Sequence, residues 1–149
     1  MTKKVLFLHG FMGSPLDGQF LQKLDYSVQL TCLAVPHTPP FKLETLYDAI
    51  DRHNPDVIYG YSLGGRLALN YIHTRRPSLD LLVLESASFG IKDEDERKKR
   101  LELDQVRSNS IKKDLKEFLR QWYKMDLWGE LTDKKRNQFI ALQHNNYRR

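Results

Sequence analysis

An apolar run, Val57-Ile58-Tyr59, ends in Gly60-Tyr61-Ser62-Leu63-Gly64-Gly65, and a helical pattern begins at once. Few folds put a serine on so sharp a corner. Gly60 and Gly64, two residues to either side, leave room where a Cβ would clash. The spacing G-x-S-x-G between strand and helix holds the serine in a strained turn, with its hydroxyl above the C-terminal ends of the strands. The helix beyond aims its free N–H groups and positive dipole end at the same spot. Ser62 is therefore the predicted catalytic residue, and the N–H of Leu63 a predicted oxyanion donor. The loop after the first strand reads His9-Gly10-Phe11, so the N–H of Phe11 is the second predicted donor. The plain alternative is a glycine-rich turn that only lets a strand reverse into a helix.

The surrounding chain supplies the fold that such a corner needs. Strands are predicted at Val5–Leu8, Val28–Val35, Val57–Tyr59 and Leu81–Glu85, from short β-branched and apolar runs. Helices are predicted over 16–25, over 43–50 from the spacing of Leu43, Leu46, Tyr47 and Ile50, and over Leu63–Arg75. "PHTPPF" between them is a proline-rich turn. Strands alternating with helices imply a parallel sheet. After Phe89-Gly90 the pattern is all helical. Asp93 is a predicted cap for the first of these helices, Asn109 or Ser110 for the next, and Thr132 for the last, which runs to about Leu142. The predicted division is residues 1–90 as an α/β core and 91–149 as a helical cap.

Composition narrows the class of function. The apolar runs are far short of a membrane span, and "MTKKVLFLHG" reads as a first strand rather than a secretory leader. The single cysteine, Cys32, excludes an internal disulfide and argues against a zinc cluster, and the cytoplasm is the predicted compartment. Residues 1–91 carry eight basic and eight acidic side chains, so the net charge of +5 resides in residues 92–149, with sixteen basic and eleven acidic. Acidic residues are interleaved there and no nucleic-acid motif accompanies them. Such a basic half can serve an anionic small molecule, an anionic surface or nucleic acid, and its plain reading is a set of solvated helical faces.

Several motifs occur in one order: "FLHGF", "GYSLGGRLAL", "LVLESASFG", then Glu96, Arg97, Arg100 and Asp104, then Trp122-Tyr123. Together they resemble the 2-succinyl-6-hydroxy-2,4-cyclohexadiene-1-carboxylate synthases of menaquinone synthesis, enzymes of the α/β-hydrolase fold. The resemblance runs from Val5 to about Asn146. It implies a partial α/β-hydrolase fold: about four parallel strands with flanking helices and a helical cap, the last strands of the fold missing.

The same resemblance implies a lyase that eliminates pyruvate from 2-succinyl-5-enolpyruvyl-6-hydroxy-3-cyclohexene-1-carboxylate without metal or cofactor, with that anionic small molecule as the expected partner and neither nucleic acid nor membrane. Ser62, as alkoxide, would act as a base on a ring proton rather than as an acylating nucleophile. Arg66 and Arg100 would bind substrate carboxylates, with Arg97, Trp122 and Tyr61 as weaker substrate-binding candidates. Arg66 stands one helical turn after Ser62, and guanidinium forks suit carboxylates. The triad acid and histidine of this fold come on loops after later strands, so the chain is expected to be impaired or inactive. His9, His37, His53, His73 and His144 are not expected to replace the missing base, and Gln143 stands where the family often carries an arginine. The "D-x-P-G-H-G" of related loops reads Ala34-Val35-Pro36-His37-Thr38-Pro39 here. Two alternatives stay open: a small serine esterase or thioesterase, and a non-catalytic anion-binding remnant. An uncovered sheet edge on the fourth strand also makes a homodimer a possible consequence.

Overall fold

The computed structural model describes residues 2–24, 27–36 and 41–147. It divides into two compact units, Met1–Gly90 and Ile91–Arg149. The predicted turn around His37, Thr38, Pro39 and Pro40 lies outside the described residues.

The first unit is a parallel sheet of four strands, β1 (Lys4–Leu8), β2 (Gln29–Leu33), β3 (Val57–Tyr61) and β4 (Leu81–Glu85), in the order β2-β1-β3-β4. Its helices are α1 (Gln19–Leu24), preceded by a 3-10 turn at Pro15–Gly18, α2 (Leu43–His53) and α3 (Leu63–Arg75). The strands are near-continuous apolar runs because helices cover both faces of a parallel sheet. Period-2 alternation then sorts the side chains. Leu6, Leu8 and Ile58 pack with Leu46, Tyr47 and Ile50 of α2 and Leu67, Ala68 and Tyr71 of α3. On the opposite face Phe7 and Tyr59 meet at 5.8 Å between ring centroids, and Phe20 of α1 stands edge-on to both.

The second predicted strand is shorter than Val28–Val35, ending at Leu33. The segment predicted as one helix over 16–25 opens as a 3-10 turn, because Ser14 and Pro15 start it tightly and Asp17 bonds back to the Ser14 N–H at 2.9 Å. That turn leaves Leu16 exposed. Cys32 is half-buried in β2 with its thiol pushed up by burial, as befits a packing residue.

The second unit is helical: α4 (Glu94–Lys113), α5 (Leu115–Trp122) and α6 (Asp133–Tyr147), with a 3-10 turn at Asp126–Trp128. Asp93 caps α4, its side chain accepting the Glu96 N–H at 2.8 Å. The cap of α5 is Asp114, which accepts the Glu117 N–H at 2.9 Å, and neither Asn109 nor Ser110. Ser110 lies inside α4, where its hydroxyl donates to the Val106 carbonyl at 2.9 Å and so cannot cap. Thr132 does sit at the start of α6, which continues past Leu142 to Tyr147. The core of this unit is aromatic: Phe118, Trp122, Trp128, Tyr123 and Phe139 follow one another in ring contact.

Candidate active site

In an open parallel sheet, ligands bind beyond the strand C-termini where the strand order reverses. Here the chain steps from β1 to β2 on one side and then to β3 on the other, so that point lies between β1 and β3. Ser62 follows β3, and His9-Gly10-Phe11 follows β1. The register pairs Leu8 with Gly60 and brings the two loops together.

Ser62 has φ 50° and ψ −109°, a backbone that L side chains rarely adopt. What allows it is close packing on both sides. A Cβ on Gly64 would meet the Leu8 carbonyl oxygen at 2.1 Å, so α3 rests directly on the end of β1. A Cβ on Gly10 would stand 2.8 Å from Tyr61 Cδ1 and 3.4 Å from Ser62 Cβ. The loop after β1 therefore lies against the serine. That loop is a turn closed by the Gly13 N–H to the Gly10 carbonyl at 3.0 Å, with Met12 at φ 56°. Phe11 stands at the rim, about one-third exposed. Leu63 heads α3, and its N–H has no carbonyl one turn back within the helix.

His9 is buried and fully committed. Its Nε2 accepts the Val35 N–H at 2.9 Å, so Nδ1 carries the proton and donates to the Gly10 carbonyl at 2.9 Å. This fixes the loop rather than serving Ser62. His53 and His73 are exposed in the last turns of α2 and α3, His144 belongs to the second unit, and His37 lies outside the described residues. Among the described residues, no side chain is hydrogen-bonded to the Ser62 hydroxyl. Asp80 pairs with Lys3 at the far end of β4. Glu85 accepts the Tyr59 hydroxyl at 2.7 Å. Burial first, then that hydrogen bond and the Glu85 charge, push the Tyr59 hydroxyl up to about 12.

Of the predicted substrate-binding residues, Tyr61 and Arg66 are in the first unit with Ser62, both half-buried, and the Arg66 N–H closes the first turn of α3 on the Ser62 carbonyl at 3.2 Å. Arg97, Arg100 and Trp122 are in the second. Arg97 is exposed and donates to the Ile91 carbonyl at 3.4 Å. Arg100 donates through Nε to Asp104 at 2.8 Å. Trp122 is a core residue, stacked on Phe118 at 5.9 Å and 19°, with Arg107 over its ring at 5.3 Å. Gln143 is buried and accepts from Asn146 at 3.2 Å. Arg107 stands seven residues after Arg100 on the same helix.

No group of three or more His, Cys, Asp or Glu among the described residues is placed to hold a metal ion. No helix among them is long and apolar enough to cross a membrane.

Sheet order, serine corner and flanking helices define a protein of the α/β-hydrolase fold. The solved structure of MenH from S. aureus superposes with a TM-score of 0.77 at 23% identity, covering 96% of this chain and 61% of that one. The sequence model of a family described as "Uncharacterised protein family (UPF0227)" matches residues 4–79, and the chain belongs to that family. A 2-succinyl-6-hydroxy-2,4-cyclohexadiene-1-carboxylate synthase of Yersinia enterocolitica is 27% identical over 96% of this chain and 57% of its own length. One of Klebsiella pneumoniae is 30% identical over 60% of this chain and 36% of its own. The chain thus spans little more than half the length of the Yersinia relative.

Proposed function

We propose that the chain takes part in the reaction its relatives are named for, as a carbon–oxygen lyase that releases pyruvate from 2-succinyl-5-enolpyruvyl-6-hydroxy-3-cyclohexene-1-carboxylate in the cytoplasm, and that turnover by this chain alone is impaired. The observation that carries the reading is the Ser62 backbone, strained between β3 and α3 in a chain related to synthases of that name.

In this reading Ser62, as alkoxide, takes a proton from the ring. The electron pair left at C2 forms a C2–C3 double bond, the ring double bond shifts from C3–C4 to C4–C5, and the C5 carbon–oxygen bond to the enolpyruvyl group breaks. The leaving enolate takes a proton to become pyruvate. Charge that develops on a substrate carbonyl meets the N–H groups of Leu63 and Phe11. In the first unit Arg66 holds a carboxylate, with Tyr61 as its neighbouring substrate-binding candidate; in the second, Arg100 and Arg97 are the carboxylate-binding candidates, together with Trp122. No cofactor enters the scheme. A serine hydroxyl is a poor base until an imidazole takes its proton. None does so among the described residues, and that is the ground for slow turnover.

The test sets pyruvate release from the cyclohexene substrate against hydrolysis of short nitrophenyl esters by the same preparation. Pyruvate release above the buffer rate, without matching ester cleavage, supports the lyase. Ester cleavage with no pyruvate replaces it by a small serine esterase. Binding with no turnover of either leaves an anion-binding remnant.

A further inference from the structure

Arg100, Asp104 and Arg107 stand at i, i+4 and i+7 along α4 and form one stripe. Asp104 joins the two arginines: Oδ2 accepts from Arg100 Nε at 2.8 Å, and Oδ1 accepts from an Arg107 terminal nitrogen at 3.4 Å. A solvated stripe of ion pairs would leave all three side chains open to water. Arg107 departs from that pattern. Its side chain is only 22% exposed, half-buried on a helix that has no fully buried residue, and its guanidinium lies over the Trp122 ring at 5.3 Å. Trp122 is itself fixed by Phe118 and by Trp128, which meets it edge-on at 6.1 Å. Arg107 is thus held from below by an indole and from the side by a carboxylate.

A guanidinium carries five N–H donors, and Asp104 takes one from each arginine. The remaining donors of both are not bonded to protein among the described residues. Two guanidiniums against one carboxylate leave one positive charge. We propose that Arg107 joins Arg100 in a two-guanidinium receptor for a ligand carboxylate, with Asp104 as the positioning residue that holds both forks. The ligand class is a dicarboxylate, or a carboxylate on a flexible aliphatic arm. The proposal rests on the reading of Arg100 as a carboxylate binder, but its test needs no turnover. Failure of pyruvate release and failure of this receptor are therefore separate results.

The chain has two tryptophans, Trp122 and Trp128, and both belong to this cluster, so intrinsic fluorescence reports on it directly. Titration of the 149-residue chain with succinate gives a saturable change in emission. Arg107→Ala weakens succinate binding about tenfold or more, the scale of a lost charge-assisted hydrogen bond. Arg107→Lys keeps the charge and still weakens binding, since lysine offers no fork and stacks poorly; it carries the test if Arg107→Ala fails to fold by circular dichroism. Arg120→Ala, which removes a charge from α5 where Arg120 pairs with Glu117, leaves binding unchanged. Asp104→Asn separates positioning from simple neutralisation: positioning predicts weaker binding, neutralisation tighter. The proposal is overturned by no saturable change in the native chain, by Arg107→Ala or Arg107→Lys binding as Arg120→Ala does, or by tighter binding in Asp104→Asn.

Discussion

The N–H of Ser62 donates to the carbonyl oxygen of Glu85 at 2.9 Å, tying the corner after β3 to the last residue of β4. The residues on either side of that bond share a second trait. Ser62 has φ 50°, and Ser86, next after Glu85, has φ 51°. Neither is glycine, so each holds a left-handed backbone at a cost of about 1–2 kcal/mol. Relief of that cost is measurable. Ser62→Gly and Ser86→Gly should each gain about 1 kcal/mol in urea unfolding, less the entropy glycine returns to the unfolded chain. A loss of stability in both would show the corner to be unstrained.

Space, rather than torsion, governs the next position. Gly64 lies where any Cβ would be driven to 2.1 Å from the Leu8 carbonyl oxygen, against backbone that cannot swing aside. Gly64→Ala should cost about 3 kcal/mol or more, at the upper end for overpacking. The same change at Gly129, which has open space around it, meets only its left-handed φ of 55°. A chain that tolerates Gly64→Ala as well as Gly129→Ala would contradict the close seating of α3 on β1.

The tyrosine beneath the corner sets a pH dependence. Tyr59 keeps its proton to about 12 in the folded chain, against an ordinary value near 10. Between those values the unfolded chain has released the proton and the folded chain still holds it. Stability from this group is therefore full below pH 10 and is lost as pH rises toward 12. Tyr71, raised further by burial and its bond to Asp51, acts in the same direction. Tyr59→Phe should flatten the fall of stability over that range. An unchanged slope, with tyrosinate absorbance near 295 nm rising at the ordinary pH in the folded chain, would refute the assignment.

Ser62→Ala should cost little in this chain. Residues that act as a unit are non-additive: with no imidazole on the Ser62 hydroxyl among the described residues, removing that hydroxyl costs almost nothing more, and the oxyanion donors and binding keep about 10³–10⁴ over water. The expected loss in pyruvate release is less than about tenfold. A loss above about a hundredfold would mean that something does activate the hydroxyl.

Much of this was legible in the residues, for physical reasons that differ from place to place. The α3 boundaries, Leu63 and Arg75, follow from a glycine-flanked serine on one side and "RRP" on the other. The first-unit core followed from period, since Leu46, Tyr47 and Ile50 can share only one helical face. The start of α4 was legible because Asp93 has an acidic first turn behind it. Caps inside the helical segment were harder. Ser110 and Asp114 are both good cap residues, and only the tertiary path shows that the hydroxyl bonds back to Val106 while the carboxylate takes the Glu117 N–H. Arg107 was hidden among charges whose spacing resembles a solvated face, and its seat on Trp122 depends on how α5 packs.

The decisive measurement is pyruvate release by the 149-residue chain, followed over a range of substrate concentration beside Arg66→Ala and beside buffer. A saturable rate about 10³ times that in buffer is expected, with about tenfold more substrate needed to half-saturate Arg66→Ala. A rate equal to buffer, or half-saturation unmoved by the loss of Arg66, would contradict the lyase reading.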